Sequence, residues 1–310
     1  MRDAVIHTLI ELGRQDKNVE LITGDLGFGV LKPFWEALPD QFVNAGIAEQ
    51  NMTGVAAGMA LEGKKIFTYS IGNFPTLRCL EQIRNDCAYH NANVNIICVG
   101  GGYAYGSLGM SHHATEDIAI MRALPGVTVI CPGDPTEAAL AVKEIANTDG
   151  TCYLRLGRGG EKSVNNVIKE FEIGKAYKLR DAKKGGKKIA VFSTGAILEE
   201  TSKACDMLEA MGFGTEQYSF PTVKPIDRRV ISDCANRFDN IFTVEEHNIV
   251  GGFGSAVAEV LAESDGGAKL HRIGINDFYC IEVGSQAYLR KQVGINAEGI
   301  TKTVKEVFCE

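Results

Sequence analysis

The chain has 310 residues, of which 45% are hydrophobic and 23% charged, and it carries a net charge of -7. That length suits two ordinary domains with real cores, and the negative charge argues against nucleic acid or an anionic membrane as the main partner. No run of about 18 apolar residues offers a membrane span, the first residues, MRDAVIHTLIELGRQ, lack the apolar core of a signal peptide, and nine cysteines without a C-x-x-C pair read as reduced thiols of a cytoplasmic protein rather than a disulfide frame or zinc site.

The predicted elements alternate from the start. A helix over 2–14 is followed by strands at Val19–Thr23 and Gln41–Val43, a helix over 48–61 and a strand at Lys65–Tyr69. A helix over 76–90 leads to the strand Val94–Val99. Helices over 115–123 and 135–147 then flank the strand Val127–Cys131, and Cys152–Leu156 closes the series. Short apolar runs between helical patterns imply a mostly parallel sheet covered on both sides. This gives a first domain over 1–160.

From 161 to 188 the pattern dissolves into a linker. GRGGEKSV is turn-like, and the basic stretch RDAKKGGKK at 180–188 reads as a solvated tip. Alternation resumes at Ile189 with IAVFST, a helix to about 211, the strand Thr215–Phe220, a helix near 227–236 and the strand Asn240–Val244. A helix over 252–263, the strand Lys269–Ile273 and two final helices complete a second domain over 189–310. The expected fold class is α/β, with two domains that are each a mostly parallel sheet covered by helices.

One stretch does not read as ordinary packing: NAGIAEQNMTGVAAGMALEG, residues 44–63. Glu49 stands where a strand gives way to a helix of small apolar residues. A first-turn glutamate favours the positive end of a helix dipole, and that alone would explain it. The helix that follows is too apolar for a solvated one, and Gly54, Ala56, Ala57, Gly58 and Ala60 let another backbone approach closely. A carboxyl beside so dry a seam is suited to giving and taking a proton.

These residues resemble the pyrimidine-binding domain of the transketolases and of 1-deoxyxylulose-5-phosphate synthase. The likeness continues through CLEQIRNDCAYHNANVNIICV (79–99), SHHATEDIAIMRALPGVTVICPGDPTEA (111–138) and YLRLGRG (153–159). In the second domain it includes TVKPID (222–227) and TVEEHNIVGGFGSAVAEVL (243–261). The resemblance implies a pyrimidine-binding fold joined to a transketolase C-terminal domain, and the transfer of a two-carbon ketol or acyl unit with thiamine diphosphate. It assigns Glu49 to N1' of the cofactor's aminopyrimidine. A carboxyl hydrogen-bonded there favours the 4'-imino tautomer, whose nitrogen can take the thiazolium C2 proton.

The same resemblance assigns Phe74 to stacking on the aminopyrimidine, with Ile71 at the place of a second aromatic. Asp25 falls near the thiazolium, His112 near the substrate's reacting end, and Arg158 on a substrate phosphate. Arg78 also matches a family position, but a surface salt bridge explains it equally well. His113 carries no assignment, and no metal site is expected in this chain. The family's GDG…N motif for the diphosphate and Mg²⁺ is not found: GDL at 24–26 is not it, and TDG at 148–150 lacks the first glycine. The chain thus reads as the C-terminal half of a split transketolase. Its expected partner is an N-terminal subunit that carries GDG…N and holds the diphosphate and Mg²⁺, most simply in an α₂β₂ assembly.

Some positions depart from the family. Leu108 stands where transketolases have an aspartate for a sugar hydroxyl, and Gly100 begins a glycine run where they have a histidine; Tyr103 and Tyr105 are additions. A leucine cannot accept a hydroxyl hydrogen bond. The ordinary pentose phosphates are therefore not the expected substrates; a deoxy, unphosphorylated or larger sugar, or a 2-oxo acid, is. A β subunit of a 2-oxo-acid dehydrogenase or an acyloin synthase is the near alternative, and a non-catalytic assembly subunit is the alternative of another class. GGFGSA at 251–256 does not open a strand–GxGxxG–helix unit with a distal acid, so a dinucleotide-binding oxidoreductase is set aside.

Overall fold

The computed structural model describes residues 1–183 and 186–309. The first sheet has seven strands. In chain order they are β1 (Val19–Thr23), β2 (Phe42–Asn44), β3 (Lys65–Ile71), β4 (Val94–Val99), β5 (Val127–Ile130), β6 (Thr151–Leu156) and β10 (Thr222–Lys224). Across the sheet the order is β10-β5-β6-β4-β3-β1-β2, parallel throughout except for β10.

Alternation along each strand divides the sheet between two cores. Leu21, Ile97 and Val99 face a core built with α1 (Arg2–Gln15), α2 (Phe28–Ala37) and α6 (Pro135–Ile145). Ile22, Ile96 and Cys98 face the opposite core, with α3 (Glu49–Leu61), α4 (Leu80–Gln82) and α5 (Asp117–Ala123) near it. The helix expected over 76–90 is a short α-helical start that continues as a π-helical segment, Ile83–Ala88. The helix α2 has no counterpart among the predicted elements. It follows Gly27, whose φ of 78° suits glycine, and it contains Pro33.

The second sheet has the order β12-β11-β8-β9-β7. Its strands β8 (Lys188–Thr194), β9 (Gly214–Ser219), β11 (Asn240–Asn248) and β12 (Lys269–Ile275) are parallel, and β7 (Tyr177–Arg180) lies antiparallel on β9. One face carries α7 (Leu198–Ala210), α10 (Gln286–Gln292) and α11 (Ala297–Val307). The other carries α8 (Arg228–Arg237) and α9 (Phe253–Ala262), whose Ile231, Phe253 and Val257 merge with the Ile118 and Met121 cluster of the first unit. The strand β10 crosses back to pair with β5, so the two sheets are fastened by shared core and shared strand.

The segment between the sheets is held at its start. Asp134 caps α6 by accepting from the Glu137 amide and also accepts from the Val164 and Asn165 amides. Asn165 in turn donates to Glu137 at 2.7 Å. The later part of the stretch read as linker supplies β7. Within the basic tip, Lys184 and Gly185 lie outside the described residues, as does Glu310. No described helix is long and apolar enough to cross a membrane.

Candidate active site

Parallel sheets gather their loops at the carboxyl ends of the strands, where ligands bind in open α/β folds. Asp25 follows β1, Glu49 follows β2, Phe74 follows β3, His112 follows β4 and Arg158 follows β6. Because the strands run β6-β4-β3-β1-β2, the five residues assigned from the sequence lie along one edge of one sheet.

Glu49 opens α3 and is 3% exposed. Its Oε2 accepts a hydrogen bond from Arg78 Nη1 at 2.7 Å. The Arg78 guanidinium also lies 4.9 Å from the centre of the Phe74 ring, and Phe74 meets His112 edge-on at 5.2 Å. His112 has Ser111 Oγ at 3.0 Å from its Nδ1 and lies 6.4 Å from the Tyr105 ring. Arg158 stacks over that ring at 5.1 Å. A continuous row therefore runs Glu49–Arg78–Phe74–His112–Tyr105–Arg158.

The floor beside Glu49 is made by two loops. Asp25 adopts a left-handed φ of 56°, which aspartate tolerates better than most residues. Asn44 holds it there by accepting from the Asp25 amide and donating to the Asp25 carboxylate at 2.9 Å, while also accepting from the Gly46 amide. A Cβ on Gly24 would stand 3.3 Å from Glu49 Cγ.

The loop that carries His112 is closed by a bridge between Gly102 and Ala114. Beneath it Arg155 donates to Asp117 at 2.7 Å, to the Ala114 carbonyl and to the Glu246 carbonyl. Burial would push the Asp117 carboxyl up, but Arg155 and His247 outweigh it and hold it below its ordinary value. The Glu246 carboxylate accepts from the Tyr103 amide, Gln286 and Arg290. The EEHN stretch of β11 thus braces the loop from below. His113 is buried, its Nε2 has no hydrogen-bond partner, and burial lowers its pKa.

The glycine run has a packing reason. A Cβ at Gly100 would come within 2.2 Å of the Tyr105 ring, and Gly100 has φ +93°. Tyr105 fills the space that a side chain at 100 would need. Burial raises its phenol above the ordinary value, while Arg2 and Arg158 oppose that rise. Arg2 and Arg158 line a cavity of about 350 Å³ with Asp3, Ser107, Ser285 and Gln286; Arg2 Nε makes no hydrogen bond and lies 3.4 Å from the Asp3 carboxylate. Sequence reasoning missed Arg2, since a basic residue in an N-terminal helix gives no signal of its own, and it could not separate Arg78 from a surface pair. Leu108 is 54% exposed on the same loop. Among the described residues, no cluster of three or more His, Cys, Asp or Glu is placed to hold a metal ion.

Residues 1–160 match the family model "Transketolase, pyrimidine binding domain", and residues 178–300 match "Transketolase, C-terminal domain". The chain belongs to the transketolase family. It is 36% identical to a subunit of the apulose-4-phosphate transketolase of Phocaeicola vulgatus, over 98% of this chain and 96% of that one. It is 33% identical to a 6-deoxy-6-sulfo-D-fructose transketolase subunit of a Clostridium species, over 99% of this chain and 94% of that one. Among solved structures, a split gene transketolase described as an inactive beta4 tetramer superposes with a TM-score of 0.86 at 34% identity, over 98% of this chain and 96% of that one. The transketolase family consists of transferases that work with thiamine diphosphate.

Whether these residues fit that cofactor is tested by what already occupies them. The Arg78 guanidinium is planar, cationic and an N–H donor; it sits on the Glu49 carboxylate and over the Phe74 ring together. A protonated aminopyrimidine has the same three properties, so the residues fit.

Proposed function

We propose that the chain is the pyrimidine-binding half of a two-subunit transketolase that moves a two-carbon ketol unit between sugar-type substrates. The observation that carries the reading is the buried Glu49 beside Phe74, already matched to a flat cationic donor. When bound, thiamine diphosphate supplies an acidic C2 carbon that can take up and release the ketol unit. Glu49 shares a proton between its carboxyl oxygen and N1' of the aminopyrimidine, which a dry site strengthens. Phe74 gives that ring a face to lie on. Asp25, pinned by Asn44, would offer its carboxylate to the cationic part of the cofactor.

His112 moves a proton at a substrate oxygen next to the transferred carbons. Arg158, held flat by Tyr105, and Arg2 bind an anionic end group of the sugar in the cavity between them. The two relatives are named for different sugars, one a 4-phosphate and the other a 6-sulfo compound. Both carry an acidic group, which suits two arginines, and both differ from the ordinary pentose phosphates. Leu108 on the loop beside His112 suits a substrate with one fewer hydroxyl to recognise there.

The diphosphate and Mg²⁺ fall to an N-terminal partner with the GDG…N motif, in an α₂β₂ assembly, with the pair working in the cytoplasm. The outer face of α3 supports such a partner. Cβ atoms built at Gly54 and Gly58 meet nothing within 4 Å, and Ile47, Val55 and Leu61 are exposed around them. The test is ketol transfer by the reconstituted pair. Glu49→Gln should lower turnover at least about a hundredfold while the pair still assembles. Full activity in that variant would refute the assignment.

A further inference from the structure

Arg78 is placed unlike Arg158, the other arginine of the row: it is paired with a carboxylate. Its own side chain is 47% exposed, whereas the Glu49 side chain it grips is 4% exposed. It reaches in from solvent to a buried acid, and on the way its guanidinium covers the Phe74 ring. Those are the two contacts that the proposed function gives to the aminopyrimidine. The guanidinium and a cofactor ring cannot both hold that carboxylate oxygen and that ring face.

We infer that Arg78 is a displaceable plug: it closes the pyrimidine site in the free chain and swings out to solvent when the cofactor enters. The inference rests on the assignment of Glu49 and Phe74 to the aminopyrimidine. Three physical features make the plug reversible. Arginine's long stem has many rotamers, so it loses entropy when held inward and regains it when released. The route out is open, since about half of the side chain already meets water. The exchange balances with one proton from solvent: the arginine cation leaves Glu49, the neutral aminopyrimidine takes up a proton at N1', and the resulting N–H faces the carboxylate, so the acid is not left buried and unpaired. Asn73, next to Phe74, donates to the His113 carbonyl and anchors the loop while Arg78 moves.

A closed majority state lowers the apparent affinity of the free chain by the fraction that is open. If roughly nine molecules in ten are closed, freeing the site should tighten binding about tenfold. The probe is thiamine without its diphosphate, added to the full chain with no partner subunit and followed by ligand-observed NMR. Arg78→Met, which keeps the stem, and Arg78→Ala should each bind thiamine at least about tenfold more tightly than the wild type. Adding Glu49→Gln to either should erase the gain. Equal or weaker binding by both single variants, with unchanged circular dichroism, overturns the plug. Thiamine diphosphate binding by the wild-type pair separates the two claims. If the pair binds none, the pyrimidine site itself is misassigned; if it binds and neither Arg78 variant gains, only the plug fails.

Discussion

Asp117–Arg155 and Glu49–Arg78 are both carboxylate–arginine pairs with a 2.7 Å contact, yet their surroundings differ. In the first, both side chains are buried, at 0% and 4% exposure. Tyr153 also donates to Asp117, and Arg155 Nη2 donates to carbonyls of two segments. In the second, one partner is half in water and makes a single hydrogen bond to the acid. The same chemical pair serves as a fixed joint where both ions are desolvated and the guanidinium also ties down two carbonyls. It serves as a movable contact where one ion already meets water and can return to it once another donor takes its place on the acid.

That contrast can be broken most forcefully at Arg155. Arg155→Met leaves Asp117 buried without its cation, and breaking a buried pair costs about 3–5 kcal/mol. Urea unfolding should read that loss, and the His112 loop should lose order with it, since Arg155 holds the Ala114 carbonyl. Gly100→Ala comes next. It combines an unfavourable φ of +93° with a clash against Tyr105, for about 1–3 kcal/mol, and urea unfolding should read it with the Tyr105–Arg158 stack disturbed. Arg78→Met should be milder, on the order of 1 kcal/mol, because a pair with one exposed member is weakened by solvent. A loss from Arg78→Met as large as that from Arg155→Met would dissolve the distinction.

The smallest effect concerns a buried acid with no arginine at all. Burial raises Glu137 to about 7, against hydrogen bonds from Ser219, Asn165 and the Gly133 amide that oppose the rise. Between the ordinary value of 4.5 and about 7, the folded protein holds a proton that the unfolded chain has released. This group's stabilisation is therefore present at low pH and is lost as pH rises towards 7. Glu137→Gln should show a smaller fall in melting temperature from about pH 5 to about pH 8 than the wild type. His247 acts with the opposite sign. Burial lowers it to about 4, so its contribution grows as pH rises from there towards its ordinary 6.5.

Long alternating runs carried most of the fold. The strands β1, β4 and β6 are buried along their whole length and mostly apolar, so they read clearly, because a parallel sheet covered twice has no solvent face to blur the pattern. The misses have local causes. The helix α2 starts after glycine and holds a proline, both of which read as loop signals. The strands β7 and β10 are short and antiparallel at sheet edges, where a few residues carry no period. The residues of the candidate site were named from motif resemblance, and their alignment needed the strand order. Arg78 is one basic residue among 32, and only its reach to Glu49 and Phe74 sets it apart.

By itself, the sequence determined that this is a two-part α/β protein of the transketolase family, with an acid at the head of a helix of small residues. The two α/β parts were legible because periodicity and turn chemistry act over neighbouring residues; the family was legible from motif resemblance. Only the tertiary structure decided that Tyr105 takes the space above Gly100, that Arg2 joins Arg158, and that an arginine lies where a ring is expected. Those facts depend on which strand ends come side by side and on how much water reaches each charge, and neither is written in the local order of residues.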